Sequence, residues 1–458
     1  MTSENQRPSL IDRLLRPFSN VRPGEGALAA LMLVCVFLIM TSYYVMKTAR
    51  EGLILAGGTF GLGGDEMKTY ASGAMALLLI GVVPAYSALA NRVRRIRLIN
   101  VSYAIVMGSL VAFFALGRAG VPVGLAFFVW LGLVSVFLVA QFWSYANDLY
   151  SEEQGKRLFA IIAVGGSLGA IFGPKIADLT ETFSSMLVSA GMLVAAIVLF
   201  NVIERIHGER KQARAAHEPT VGAGGFKLVL QDRYLLLIAG LVLVANLVNT
   251  TGEFVLSNAV RQHALELVQG TDAAAEAQRR EIIKSFYSDF FMWVNLASFV
   301  IQAFLVSRII TKVGVRPALF VLPVIAFGTY GAIGVVGGLA LIRIAKIAEN
   351  ATDYSLQNTV RQALFLPTDR SVKYKAKAAI DTFFVRFGDT LSAVLVGVGI
   401  HQLGFGGREL AFANLVLVGV WFAIAVGIAH HHRKLTETTP DKKPRGRRRV
   451  LTPAGAHA

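Results

Sequence analysis

Charged residues are scarce in this sequence of 458 residues, of which only 16% are Asp, Glu, Lys or Arg. A soluble domain carries about 25% charged residues, and the charges here fall in short segments between long apolar stretches. The single cysteine, Cys35, lies inside an apolar stretch, which excludes disulfides and cysteine-built metal sites. The composition therefore excludes most soluble enzymes and indicates a protein that lies in a membrane.

Sequence motifs of catalysis are also missing. The chain contains no G-x-x-x-x-G-K-[ST] phosphate loop and no H-E-x-x-H pair. We therefore expect no ATP hydrolysis by a P-loop, no other enzymatic activity, and no cofactor or resident metal ion.

Long uncharged runs make up most of the chain. A membrane-spanning helix needs about 20 predominantly apolar residues, and eleven runs qualify. They are 27–46, 69–90, 98–117, 119–147, 158–174, 182–203, 234–252, 290–307, 317–342, 390–407 and 410–429.

Basic residues cluster at the N-terminus and after the second, sixth and eighth runs, and again in the C-terminal tail. Basic loops stay in the cytoplasm, and placing the tail there as well requires a twelfth helix, at 338–360. We therefore interpret the formal net charge of +16 as a signal of how the chain is oriented in a membrane. We expect no nucleic-acid partner. We expect a bacterial inner-membrane protein with both termini in the cytoplasm.

These features predict an all-α polytopic membrane protein with twelve transmembrane helices in two six-helix bundles, a major-facilitator-like architecture. The expected parts are a cytoplasmic N-terminal segment 1–23, a first bundle 24–203, a basic linker 204–233, a second bundle 234–430 and a basic tail 431–458. In the fifth run Gly165, Gly169 and Gly173 recur every fourth residue, which predicts close helix packing. A moving hinge is compatible with the same pattern.

Several charges fall inside the predicted membrane region, where each costs roughly 2.5–3.5 kcal/mol even on the lenient insertion scale. Lys47 and Arg50 lie three residues apart, on one helical face, at the end of the first span. They form either a cationic rim for an anionic substrate or an interfacial pair with Glu51. Glu253 lies on a polar stripe of the seventh span, where it pairs with a buried cation or relays charge.

The tenth span is the richest in charge. Arg343, Lys346 and Asp353 recur on one face of the predicted helix, with Tyr354 next to them and Arg361 two turns further on. Pairing within this stripe explains part of it. A cavity with several cations also suits a phosphate-bearing substrate, because Arg binds phosphate in a bidentate manner and Lys supplies a point charge.

Three stretches resemble the ATP:ADP antiporters of plastids and obligate intracellular bacteria. They are YYVMKTAREGL at 43–53, FWSYANDLYSEEQGKRLF at 142–159, and YSLQNTVR at 354–361 followed by FLPTD and KAKAAID. The resemblance covers roughly residues 25–430. Two features depart from that family's usual pattern: the run 119–147 contains no acidic residue, and the stretch 357–361 reads QNTVR.

The resemblance implies a twelve-helix exchanger that carries adenine nucleotides across a membrane without hydrolysing them. It implies functional charges at Arg50, Glu253 and Arg361. We therefore expect Arg50, Lys346 and Arg361 to hold phosphates with support from Lys47, Glu253 to couple charge to movement, and Tyr354 to stack on a base.

The expected function is that of a secondary transporter which exchanges or imports adenine nucleotides, or a related phosphorylated anion, by alternating access. Its partners would be that small molecule and the lipid bilayer, with the monomer as the working unit. The alternatives are a proton-coupled major-facilitator transporter of another solute, or a membrane assembly or sensor protein that does not transport.

Overall fold

The computed structural model describes residues 10–15, 21–59, 61–90, 93–207, 224–368, 376–377 and 379–438. The predicted N-terminal segment, basic linker and basic tail lie partly outside the described residues, at 1–9, 16–20, 208–223 and 439–458. The boundaries proposed for those parts stay predictions.

The first half of the chain forms one short and six long helices. They are α1 Leu10–Leu15, α2 Gly26–Ala56, α3 Gly64–Ala90, α4 Arg95–Arg118, α5 Gly124–Leu149, α6 Glu152–Asp178 and α7 Ser184–His207. Between α2 and α3, strands β1 (Gly58–Thr59) and β2 (Leu62–Gly63) pair antiparallel. Helix α6 begins with a capping box, in which Ser151 Oγ accepts from the Gln154 amide at 3.3 Å and Gln154 Oε1 accepts from the Ser151 amide at 3.1 Å.

The second half repeats the pattern of one short and six long helices. They are α8 Gly224–Gln231, α9 Arg233–Leu267, α10 Ala273–Lys312, α11 Val315–Val335, α12 339–364, α13 Ile380–His401 and α14 Gly407–Thr438. Three of them contain a π-helical turn, at Ile301–Val306 in α10, Asp353–Gln357 in α12 and Ile380–Phe384 in α13.

Within the described residues, ten of the long helices are long and apolar enough to cross a membrane, and the chain is a multi-pass membrane protein. Together with α3 and α12, they make six long helices in each half of the chain. The sequence predicted a helix at 338–360 from its polar stripe, and the helix at 339–364 confirms it. Twelve membrane crossings remain a prediction.

The buried apolar side chains form two clusters, one within the first half and one centred on the second half. In the first half the core is built around aromatic side chains that are fully or almost fully buried, namely Tyr103, Phe127, Phe142, Tyr145 and Phe200. The core of the second half is built around Phe254, Tyr287, Phe290, Tyr330 and Trp421. The two bundles meet where α2 and α6 pack against α10, and where α3 packs against α9 and α13.

The glycines of α6 allow it to lie directly on α2. A Cβ atom added at Gly165 would stand 2.3 Å from the Leu33 carbonyl oxygen, and one at Gly169 would stand 2.6 Å from that of Phe37. No side chain fits in such a gap, so the prediction of close packing is confirmed.

Candidate functional site: two cavities beneath a bonded layer

The long helices alternate in direction, so their ends fall on two faces. We call the face where α2 begins and α14 ends the terminal face; there Arg157 of α6 pairs with Glu25 at 2.9 Å, and the Tyr234 ring lies 6.4 Å from that of His432. The other face, here the opposite face, carries the loops 57–63, 179–183, 268–272 and 402–406.

Side chains at the opposite face join the two bundles. Asp65, in the first turn of α3, accepts from Asn258 at 2.7 Å and lies 3.8 Å from Arg261, both on α9. Lys68, one turn further along α3, donates to Ser257 of α9 at 2.8 Å. These contacts fasten the start of α3 to the end of α9.

Two further contacts join the bundles on the same face. His401, at the end of α13, lies 3.2 Å from Glu66. Glu281 of α10 accepts from the amide and the hydroxyl of Thr182 at 3.0 and 2.6 Å, and the buried Lys284 donates to the Thr180 carbonyl oxygen and to Glu281. We call the whole set the opposite-face layer: Asp65, Glu66, Lys68, Thr180, Thr182, Ser257, Asn258, Arg261, Glu281, Lys284 and His401.

Below this layer, Asp289 of α10 links three helices. One carboxylate oxygen pairs with Lys175 of α6, and the other lies 3.3 Å from Arg343 of α12. Nearby on α10, Asn295 accepts from Tyr44 Oη at 2.9 Å. The predicted site residue Arg343 thus has an acidic partner from outside its own helix.

The two predicted cations of α2 have different surroundings. Lys47 Nζ lies 4.3 Å from the centre of the Phe291 ring and 5.1 Å from that of Tyr44, so aromatic faces stabilise its charge. Arg50 is held by Glu51 at 2.6 Å and stacks on Phe128 at 4.3 Å. Lys68 also bonds Glu51, at 2.8 Å, so Arg50 belongs to an ion-pair network that continues into the opposite-face layer.

Lys346 and Glu253 belong to a buried cluster. Lys346 is fully buried and lies 3.2 Å from Glu349, 3.8 Å from Glu253 and 3.0 Å from the side-chain oxygen of Asn249. Tyr330 Oη donates to Glu349 at 3.1 Å. A cation so fully enclosed by acceptors is unavailable to a substrate unless the cluster opens.

The remaining predicted residues, Asp353, Tyr354 and Arg361, line a cavity of about 410 Å³ inside the second bundle, which we call the polar cavity. Arg361 Nε lies 3.9 Å from Asp381, and Arg361 Nη2 donates to Asn358 at 3.3 Å. The other lining residues are Leu241, Val242, Ala245, Asn246, Asn249, Gln357, Asn358 and Val385.

A second cavity, of about 470 Å³, lies between the bundles, and we call it the interface cavity. Helices α2, α5 and α6 supply one wall, and α10 and α12 the other. Its residues are Val36, Met40, Tyr44, Val139, Trp143, Ala163, Gly166, Ser167, Ala170, Asn295, Ser298, Phe299, Gln302, Tyr354, Asn358 and Thr359. Tyr354 and Asn358 line both cavities, so the two are neighbours.

Both cavities lie on the terminal-face side of the opposite-face layer. Trp143 and Arg361 are within two turns of the helix ends that reach the terminal face, Leu149 and Leu364. The eight predicted residues therefore fall into two groups. Three line the polar cavity, and five lie outside both cavity linings with partners of their own: Lys47, Arg50, Glu253, Arg343 and Lys346.

Sequence reasoning did not single out Trp143 or Gln302 as site residues. Trp143 lies in the stretch 142–159 that carries the family resemblance, so a signal for it was present. Gln302 is an uncharged residue inside an apolar run, and charge-based reasoning passes over it. Among the described residues, no group of His, Cys, Asp or Glu side chains could hold a metal ion.

No protein-family model matches the sequence. The chain is 23% identical over 342 residues to ADP,ATP carrier protein 1 of Chlamydia trachomatis serovar D, covering 64% of this chain and 62% of that one. It is 22% identical over 335 residues to ADP,ATP carrier protein 4 of Rickettsia bellii, covering 61% of each. The chain thus spans a little over three fifths of the length of these relatives. At this identity they support the family resemblance, and membership stays a prediction.

Solved structures give the fold. The nucleoside transporter NupG has a TM-score of 0.60 at 13% identity, covering 90% of this chain and 99% of its own. The peptide transporter POT in complex with sulfate has a TM-score of 0.60 at 16% identity, covering 92% of this chain and 99% of its own. The predicted all-α, major-facilitator-like fold is confirmed. The relatives and structures named here are carriers and transporters rather than enzymes.

Proposed function

We propose that this chain is a secondary transporter that exchanges or imports adenine nucleotides, ATP and ADP, or a related phosphorylated anion, by alternating access. The observation that carries the proposal is the polar cavity with Arg361 in its wall, beneath a layer that joins the bundles at the opposite face. The relatives are named ADP,ATP carrier proteins, which supports the substrate class.

Arg361 is the residue best placed to hold a phosphate. Its side chain is 30% exposed, and its contact with Asp381 at 3.9 Å is longer than a hydrogen bond. Arg offers a planar fork of donors that matches phosphate oxygens. A phosphate can therefore form short bonds to Arg361, whose contacts within the protein are the 3.9 Å approach of Asp381 and a 3.3 Å hydrogen bond to Asn358. The neighbouring side-chain amides Asn246, Asn249 and Asn358 supply further hydrogen-bonding groups.

The position of the bonded layer favours an inward-facing state. The layer joins the bundles at the opposite face, and both cavities lie on the terminal side of it. By the positive-inside rule, the basic loops and the basic tail support a cytoplasmic position for the terminal face. In a bacterial inner membrane the substrate would then enter and leave this state from the cytoplasm. Rocking of the bundles would break the layer and expose the same site to the outside.

One observation favours a second candidate, proton-coupled transport of another solute. Asp353 lines the polar cavity and forms no ion pair with another described residue. An ionisable carboxyl inside a transmembrane bundle is a common proton carrier. On this alternative, Asp353 would bind a proton in one state and release it in the other.

Counter-exchange in proteoliposomes separates the two candidates. Purified protein is reconstituted with ADP, ATP, phosphate or buffer inside, and uptake of labelled ATP is followed with and without a proton gradient. We expect uptake that depends on internal nucleotide. Uptake of no nucleotide under any condition, together with no measurable ATP binding, would refute nucleotide transport. Proton movement that requires Asp353 would then favour the second candidate.

The opposite-face layer gives a test of alternating access that needs no substrate. Asp65→Asn should weaken a charge-assisted hydrogen bond to Asn258 and remove the attraction to Arg261. Bonds to charged groups contribute about 1.5–3 kcal/mol, so the outward-open population is expected to rise roughly 10- to 100-fold. Spin labels at positions 119 and 271, exposed residues of the opposite face on different bundles, would report it as a longer distance in a Cys35→Ala background.

Asp148→Asn is the matched control. Asp148 pairs with Arg95 at 3.0 Å, but both residues belong to the first bundle and lie toward the terminal face. The distance distribution should stay that of the parent protein. If Asp65→Asn and Asp148→Asn behave alike, the layer does not hold the opposite face closed.

A further inference from the structure

The interface cavity differs in chemistry from the polar cavity next to it. Each of its two walls carries two aromatic rings: Tyr44 and Trp143 come from the first bundle, and Phe299 and Tyr354 from the second. The acidic and basic side chains Asp353 and Arg361 line only the polar cavity. One cavity therefore suits a flat apolar group and the other an anionic group.

The cavities also differ in which bundle builds them. The polar cavity is formed by α9, α12 and α13 alone, whereas the interface cavity has one wall from each bundle. Tyr354 belongs to both linings and is 44% exposed. It lies in the π-helical turn Asp353–Gln357, and such turns are frequent at functional sites. A molecule that fills both cavities would pass over this residue and touch both bundles.

Gln302 is a polar group of the interface cavity with bonding capacity to spare. Asn295 has both of its donors in use, since its amide nitrogen donates to the carbonyl oxygens of Ala170 and Phe291, and its oxygen already accepts from Tyr44. Gln302 is exposed and has only a 3.4 Å contact from Thr359 to its oxygen. It lies in the π-helical turn Ile301–Val306 of α10. Its amide can both donate to and accept from the edge of a ring.

We propose that the interface cavity is a subsite for a nitrogen heterocycle at one end of the substrate, with the anionic end at Arg361 in the polar cavity. Trp143 and Tyr354 contact the ring faces, and Gln302 bonds the ring edge. This inference rests on the proposed function and specifies its substrate as a two-ended molecule, a phosphorylated nucleoside. A volume of about 470 Å³ lies within the range of about 300–1,000 Å³ of small-molecule sites.

The arrangement has a mechanistic consequence. The anionic end touches the second bundle alone, so a phosphate compound without a ring would occupy Arg361 without linking the bundles. Only the ring reaches Trp143 on the first bundle. A ligand changes a conformational equilibrium only through different contacts in the two states. We therefore expect inorganic pyrophosphate to bind and compete with ADP but to support little or no exchange.

The first test uses the fluorescence of Trp143. The chain has four tryptophans, and replacing Trp130, Trp293 and Trp421 by phenylalanine leaves Trp143 as the single emitter in the full-length protein. Adenosine and ADP are expected to change its emission in a saturable manner, and pyrophosphate to change it far less. Saturable binding of ADP with no response to adenosine would overturn the ring subsite.

The second test compares two tryptophans of α5. Stacking of a base on an aromatic side chain corresponds to roughly 5- to 150-fold in affinity, so Trp143→Leu should weaken ADP binding by that factor and leave pyrophosphate binding unchanged. Trp130 packs against Phe113 and Phe127 of the first bundle, and Trp130→Leu should leave the ratio of the two affinities as it is. A ratio unchanged in Trp143→Leu would contradict the proposal.

Gln302→Leu provides an independent check, because it should reduce the preference for adenosine over purine riboside, which lacks the exocyclic amino group.

The ring subsite and the proposed function can fail separately. Pyrophosphate binding that requires Arg361, without any response to adenosine, would retain an anion transporter and refute the ring subsite. An adenosine response that depends on Gln302, without any binding of phosphate compounds, would retain the subsite and refute nucleotide transport.

Discussion

Replacing Arg361 with glutamine is expected to weaken the binding of both ADP and pyrophosphate by roughly 10- to 100-fold. This range is expected because a charge-assisted contact contributes about 1.5–3 kcal/mol and each 1.4 kcal/mol changes a binding constant about tenfold. Arg361 is the basic side chain in the wall of the polar cavity, and its partner Asp381 lies 3.9 Å away. Titration calorimetry of the purified full-length protein in detergent would measure both affinities.

Arg386→Gln is a closely matched control. Arg386 is also 30% exposed and also pairs with an aspartate, Asp389 at 3.4 Å, but it lines neither cavity. Its replacement should leave both affinities within about twofold of the parent protein, a change that corresponds to about 0.4 kcal/mol. Equal losses in the two variants would mean that the general positive charge of the second bundle attracts the anion, and that Arg361 has no specific role.

Much of the fold could be predicted because its signals are local. Apolar length identified most of the long helices, and the polar stripe of α12, although too charged for a hydropathy criterion, repeats every three or four residues as a helix requires. The glycines of α6 predicted close packing and lie on α2 as expected. Each of these inferences depends on residues within one helix, where spacing along the chain fixes position in space.

The site was harder to predict because partners lie far apart in the chain. The sequence does not show which of Arg50 and Arg361, both basic residues near the ends of predicted spans, is available to a ligand. Arg50 pairs with its neighbour Glu51 at 2.6 Å, and Lys68 from α3 completes that network, whereas Arg361 borders a cavity. Asp289 pairs with Lys175 across 114 positions of sequence. The spacing of residues within one helix does not show which other helix supplies a counter-charge. The position of that counter-charge determines which cations remain available to a ligand.

Lys346→Met is expected to destabilise the protein strongly, although the sequence alone suggested a phosphate-binding role for this residue. Lys346 is fully buried, with Glu349 at 3.2 Å and Glu253 at 3.8 Å. Removing one partner of a buried ion pair costs about 3–5 kcal/mol, because the other charge is left uncompensated. Here two carboxylates lose their common cation. The variant should therefore unfold at a markedly lower temperature in detergent than the parent protein.

A second substitution separates stability from ligand binding. Lys346→Met combined with Glu349→Leu removes both members of the closest pair, and replacing a buried pair by apolar groups is often close to neutral, so much of the lost thermal stability should return. Lys175→Met serves as the control, since Lys175 and Asp289 are each 39% exposed and exposed pairs contribute only about 0–1 kcal/mol. The contrary result would be a Lys346→Met protein that melts like the parent but no longer binds ADP or pyrophosphate. In that case the cluster opens to the substrate during transport, and Lys346 is a ligand of the phosphates rather than the counter-charge of Glu349 and Glu253.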